Sequence, residues 1–287
     1  MAENQENPAG TDESWEFAEP EITADPQPDS AVSAHAAGAR RLPGSIVGKI
    51  AMYLGLAAPL LAILGALGAN NEILTPFIGF RMFLLALPVA LLGLVFALFA
   101  RIRARGDRNP QARRQALATT LLGVVTVGAV VGLGLPAAGF PLINDITTNV
   151  EDPPMFVAAL SDPANSERDM SYPADFAAQQ KAAYPTLDTV RIAKAPSEAF
   201  RLAVETLEAL RNTEVIEQDP ATGRIEAVTT SRIFHFRDDI VVRVRETRGG
   251  SLIDMRSKSR DGKGDMGVNA RRIEDFFALL HLSLIHI

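Results

Sequence analysis

Long apolar runs and short alternating ones divide the chain. From Ile50 to Ala69, IAMYLGLAAPLLAILGALGA carries no charge. At about 1.5 Å per residue it is long enough to cross a hydrocarbon core of about 30 Å. Met82–Ala100, MFLLALPVALLGLVFALFA, repeats the pattern with Pro88 as a tolerated kink, and the run from Gln115 to Asn144 has no ionisable side chain. None shows the polar stripe that a helix of a soluble protein turns to water, so three membrane-spanning helices are predicted. Gly65, Gly68, Gly93, Gly123, Gly128, Gly132 and Gly134 lie within them and predict close helix packing inside one chain.

Beyond Asn144 the period shortens. The stretch from NDITTN to LDTV is rich in Pro, Asp and Asn and predicts extended or looped chain draped over a domain. PSEAFRLAVETLEALRN predicts a helix with Pro196 in its first turn, Ser197 as its cap, and Phe200, Ala203, Leu207 and Leu210 along one face. TEVIEQD, GRIEAVTT, SRIFHF, DIVVRVRET and SLIDMRSKS then read as strands, joined by turns at DPATG, RDD and RGG. Ile240, Val242 and Val244 oppose Arg243 and Arg245; Ile253 and Met255 oppose Asp254 and Arg256; Ile225 and Ala227 oppose Arg224 and Glu226. VNARRIEDFFALL places Ile273, Phe276, Phe277 and Leu280 on a common side. The predicted fold class is α+β: three N-terminal transmembrane helices, then an exported antiparallel β-sheet packed by two helices, with its charged face free.

Charge gives this plan a direction. Residues 1–39 hold nine Asp or Glu and no Lys or Arg. Such a segment is too polar to bury a core, so residues 1–44 are expected to form a disordered cytoplasmic tail rather than a signal peptide. Six Arg in RIRARGDRNPQARR, against no positive charge in NNEILTP, place the tail and the second loop in the cytoplasm. The membrane region, 45–143, then delivers residues 144–281 to the other side. The expected location is a bacterial inner membrane with the domain in the periplasm, which is compatible with a chain that has no cysteine. The closing LSLIHI, residues 282–287, translates codon for codon from the transposon end sequence used to prepare sequencing libraries, and is expected to be foreign to the gene.

The densest polar stretch is MRSKSRDGKGDMGVNARRI, Met255 to Ile273. Arg224–Arg272 holds twelve basic and seven acidic residues, whereas Asp145–Asp219 holds six and fourteen. Arg256, Lys258 and Arg260 run into Gly262, Gly264 and Gly267 just before a helix N-terminus, where successive amides flanked by cations suit an anion. With Arg243, Asp254, Asp265, Asn269 and Arg272 they form a candidate site for an anionic lipid headgroup or small anion. A second reading is structural: Asp238, Asp239, Asp254, Asp261 and Asp265 pair with nearby Arg, and Asn269 or Asp265 caps the helix. Catalysis has less support. His35, His235, His281 and His286 show no paired spacing and cysteine is lacking, which argues against a metal. His235 with Ser257 or Ser259 lacks a nucleophile elbow, adjacent Asp238 and Asp239 point apart on a strand, and GKGDMG lacks phosphate-loop spacing. No metal and no cofactor is expected.

GRIEA, FRDDIVVRVR and DMRSKSRDGKGDMGVNARRI, together with NDITTN and DPPMF, resemble the family known as domain of unknown function 1499, found in bacteria and plastids. The resemblance covers nearly all of residues 144–280. It implies a fold without an activity and transfers no catalytic residue. The leading functional expectation is therefore a membrane-anchored periplasmic module of binding or scaffolding type. The alternatives are a hydrolase of a cell-envelope substrate and an assembly factor that docks a membrane-protein partner on the charged sheet face. The lipid bilayer is the partner common to all three. Nucleic acid is not expected, because the domain is acidic overall and faces away from the cytoplasm.

Overall fold

The computed structural model describes residues 44–103, 110–134 and 139–285. The acidic tail, the centre of the Arg-rich loop and His286 with Ile287 lie outside them. Three helices long and apolar enough to cross a membrane come first: α1 (Gly44–Asn70), α2 (Pro76–Arg103) and α3 (Pro110–Gly134). They expose large apolar side chains such as Leu60, Leu64, Leu85, Leu98 and Leu121, a surface suited to lipid rather than water. Small residues set how closely they approach. A Cβ on Gly65 would lie 2.5 Å from the Gly79 carbonyl oxygen, and one on Gly55 2.7 Å from the Thr119 methyl. Gly128 and Gly132 have nothing within 4 Å among the described residues, so close packing uses only some of the glycines.

The remaining chain is an α+β domain. Its strands are β1 (Asp145–Thr147), β2 (Val190–Ile192), β3 (Thr213–Asp219), β4 (Arg224–Thr230), β5 (Arg237–Thr247) and β6 (Gly250–Ser259). They form one antiparallel sheet in the order β1-β6-β5-β4-β3, with β2 also paired to β6. Its helices are α4 (Phe176–Ala183), α5 (Pro196–Ala209) and α6 (Val268–Ile285). The alternation expected from the sequence is the alternation found. Ile225, Ala227, Ile240, Val242, Val244, Ile253 and Met255 meet Leu202 and Leu207 of α5 and Ile273, Phe276 and Leu280 of α6 in one core. Each large side chain buried there contributes about 1.5–3 kcal/mol. That amphipathic face holds α5, not a cap: Ala195 rather than Ser197 occupies the capping position and bonds no amide through its side chain.

Two expectations are corrected. SRIFHF is not a strand but the turn between β4 and β5. His235 takes a φ of 57° there, and Phe234 and Phe236 swing out of the sheet to pack on α2. The charged face of the sheet is also not free. Residues 148–172 lie across it as a strap, with short 3-10 turns at Ala158–Ser161 and Pro163–Asn165, and seal Phe156, Ala159 and Met170 against Val241 of β5. β1, β2 and α4 are too short to carry a readable period.

Candidate functional site

The strap is fastened by buried charge. Asp145 on β1 stands opposite Lys258 on β6, two residues from Arg256. Arg256 is 2% exposed. Its Nε and Nη2 donate to the two carboxylate oxygens of Asp145 at 2.8 and 2.7 Å. Nη1 donates to the Pro154 carbonyl at 3.1 Å, and Nη2 also to the Met170 carbonyl at 2.9 Å. The guanidinium lies 4.8 Å from the Phe156 ring centroid and 5.7 Å from that of Tyr172, a stacking that Lys could not reproduce. Lys258 Nζ reaches the same Asp145 at 2.8 Å. One carboxylate thus serves two interior cations. Burial, and after it the Asp145 charge, push the Tyr172 hydroxyl well above its ordinary pKa, so it stays protonated.

Three further carboxylates repeat the arrangement, each fully buried. Glu226 accepts the amides of Val157, Ala158 and Ala159 at 2.7, 3.0 and 2.9 Å. It acts as a cap supplied by a distant strand. Asp239 accepts from Arg260 Nη2 at 2.6 Å and from Arg168 and Asn165 at 3.2 Å, and Arg260 reaches on to Asp162 at 2.8 Å. Asp254 accepts from Arg243 at 3.0 Å, Arg245 at 2.7 Å and Thr189 Oγ1 at 2.6 Å. Charge-assisted bonds of this kind are strong and directional, so the strap has one register on the sheet.

The opposite face carries a separate polar cluster. Asp265 accepts the amides of Gly267 at 3.0 Å and Asn269 at 2.7 Å, so its carboxylate occupies the start of α6. Burial pushes the Asp265 carboxyl up, and the two amide bonds pull it partly back. Ser257 Oγ donates to Asn269 Oδ1 at 2.7 Å, Asn269 Nδ2 to Ser259 Oγ at 2.9 Å, and Arg272 to Asp238 at 2.7 Å. The glycine loop receives the chain arriving from α3. Asn144 Nδ2 donates to the Gly262 carbonyl at 2.7 Å, and Gly264 lies against Leu142. Gly267, with a φ of +80°, leaves no room for a Cβ beside the Phe140 ring.

The candidate residues therefore separate. Arg243, Asp254, Arg256, Lys258 and Arg260 lie under the strap, Asp265, Asn269 and Arg272 on the helix side, and Gly262, Gly264 and Gly267 at the incoming linker. His235 does not meet Ser257 or Ser259: its Nε2 lies 3.1 Å from Asn70 Nδ2 at the end of α1. Among the described residues no three His, Asp or Glu converge to hold a metal ion. Sequence reasoning missed Asp145 and Glu226 as partners. It also missed an open cleft of about 470 Å³ beside the β4–β5 turn, lined by residues that include Asn212, Glu214, Ser231, Arg232, His235 and Arg237. Those cations stand outside the dense stretch that drew attention.

Residues 145–280 match the model of a family described as "Protein of unknown function (DUF1499)". Comparison with the curated proteins and with the solved structures found no match.

Proposed function

We propose that this chain, whose α+β domain at residues 145–280 belongs to the DUF1499 family, is a membrane-anchored, non-catalytic module that holds a rigid binding or scaffolding surface against a bilayer. The seating of the β4–β5 turn on the helices carries the reading. Phe234 is 7% exposed, and its ring lies 5.2 Å from Phe80 and 5.3 Å from Phe83 of α2 in edge-on contacts. Asn70 Nδ2 donates to the Arg232 carbonyl at 2.9 Å. A domain held this way keeps one height and tilt relative to the helices, as a surface that meets a partner in the membrane plane requires. The buried ion pairs serve as architecture in this reading: they lock the strap and leave no mobile charged face. The Arg-rich loop and the tail face the cytoplasm, and the domain faces the periplasm of a bacterial inner membrane.

A cysteine-free chain makes the test direct. With single cysteines at exposed positions, a membrane-impermeant maleimide added to intact spheroplasts should label R248C and spare R103C until lysis; the reverse pattern overturns the orientation. N70C/H235C in native membranes should cross-link through a short bifunctional methanethiosulfonate. A domain that tumbles free of the helices would give no such product, and the seated-domain reading would fail.

A further inference from the structure

Most cations of this domain pair with a carboxylate, and among those that form no ion pair between described residues two share a cleft. Arg168, Arg201, Arg224, Arg243, Arg245, Arg256, Arg260 and Arg272 all pair with carboxylates. Among the described residues, Arg232 and Arg237 form no ion pair and donate no side-chain hydrogen bond, yet both line the cleft of about 470 Å³ beside the β4–β5 turn. His235 lines it too, held by Asn70 at the end of α1. Ser231 Oγ accepts the Phe236 amide at 2.9 Å, which leaves its hydroxyl proton to be donated elsewhere. Asn212 also lines the cleft, and Glu214 is the one carboxylate among the described residues that line it. Donors therefore outnumber acceptors in a space large enough for a small ligand.

We propose that this cleft binds a phosphate ester monoanion, supplied by the headgroup of an anionic glycerophospholipid. Arg232 and Arg237 pair with its phosphate oxygens, and Ser231 and Asn212 donate to it. Guanidinium is the side chain best matched to two phosphate oxygens at once. Glu214 faces the glycerol hydroxyls of the headgroup, which donate to a carboxylate as phosphate cannot. Placement selects the lipid. Phe234 from the same turn packs one to two helical turns inside α2, so the cleft lies at the level where a spanning helix leaves the hydrocarbon. The source of the phosphate rests on the membrane-spanning reading proposed above; the cation pair does not.

The full-length protein, reconstituted in nanodiscs of phosphatidylcholine with a minor fraction of phosphatidylglycerol, is released for native mass spectrometry and compared with R232Q/R237Q and with R248Q/R271Q. The last two positions are likewise exposed arginines without ion pairs among the described residues, but outside the cleft. Loss of about fivefold per guanidinium predicts that R232Q/R237Q retains phosphatidylglycerol about thirtyfold more weakly, while R248Q/R271Q matches wild type. A parallel thermal-shift titration with glycerophosphoglycerol, the water-soluble phosphodiester monoanion of the same headgroup, identifies the source: no shift assigns the site to lipid, and a shift in wild type absent from R232Q/R237Q assigns it to soluble phosphate esters. Equal lipid and phosphate binding by all three proteins overturns the proposal, as does equal loss in both variants, which would mean diffuse charge. Failure of the membrane reading shows separately, as no incorporation of any of the three into nanodiscs.

Discussion

Replacing Arg256 by Met tests whether the buried network is architecture. Met keeps most of the side-chain volume but removes the charge and four hydrogen bonds: two to Asp145, one to the Pro154 carbonyl and one to the Met170 carbonyl. Each carbonyl left buried without a donor costs about 1–3 kcal/mol, while Asp145 keeps Lys258 at 2.8 Å and is only half stripped. Breaking a buried pair costs about 3–5 kcal/mol, so about 4 kcal/mol is expected, a large part of the roughly 5–15 kcal/mol that stabilises a domain. D145N should be worse, because it leaves two buried cations facing no counter-charge. Urea titration of the full-length protein in mild detergent, read by pulse proteolysis of the exposed domain, reports both. With a slope of about 1.5 kcal/mol per molar, R256M should lower the midpoint by about 2.7 M. The triple change D145L/R256M/K258M should recover much of that, since removing every charge also removes the penalty of burying them. A midpoint within about 0.5 M of wild type for R256M, or R256M falling below D145N, would refute the reasoning.

Three further outcomes follow from the same geometry. E226Q replaces a carboxylate that accepts three strap amides, and should cost about 2 kcal/mol; hydrogen exchange at Val157–Ala159 should quicken by about thirtyfold, and unchanged exchange would remove Glu226 from the strap's fastening. F234A empties the aromatic contact with Phe80 and Phe83, so N70C/H235C cross-linking should fall while the urea midpoint of the domain moves little, because Phe234 lies outside the core between the sheet and α5 and α6. Asp162 is held below its ordinary 3.8 by the Ala164 amide and then by Arg260, against a partial burial effect. A depressed folded pKa adds stability above 3.8 that is lost as pH falls below it, so the gap between wild type and D162N should be widest near neutrality and close in that acid window. A gap that stays constant or widens there would contradict the assignment.

What the sequence made legible was whatever repeats within a few residues. Period-two alternation in DIVVRVRET and SLIDMRSKS named the core face of β5 and β6, and VNARRIEDFFALL named the buried side of α6, because side-chain direction is fixed by the local backbone. SRIFHF misled for the same reason: Ile233 and the two phenylalanines mimic a strand, and His235 gives no warning of a positive φ. The strap carries no period at all. Its contacts join Pro154 to Arg256 and Asp162 to Arg260, residues about a hundred positions apart, and no local pattern specifies them.

Charge balance was visible, but its meaning was not. An acidic Asp145–Asp219 and a basic Arg224–Arg272 suggest an anion site when the basic half is considered alone. In the fold part of the acidic half lies across the basic half: Asp145, Asp152 and Asp162 meet Arg256, Arg243 and Arg260. The two excesses largely neutralise one another. A dense run of Lys and Arg therefore marks a surface that must be covered, whereas a cation that stays without an acidic partner after the chain has folded over itself has capacity left for a ligand. Arg256, enclosed between Phe156 and Tyr172, has no such capacity; of the cations that form no ion pair among the described residues, Arg232 and Arg237 are the two that also face one cleft, at the turn seated on the helices.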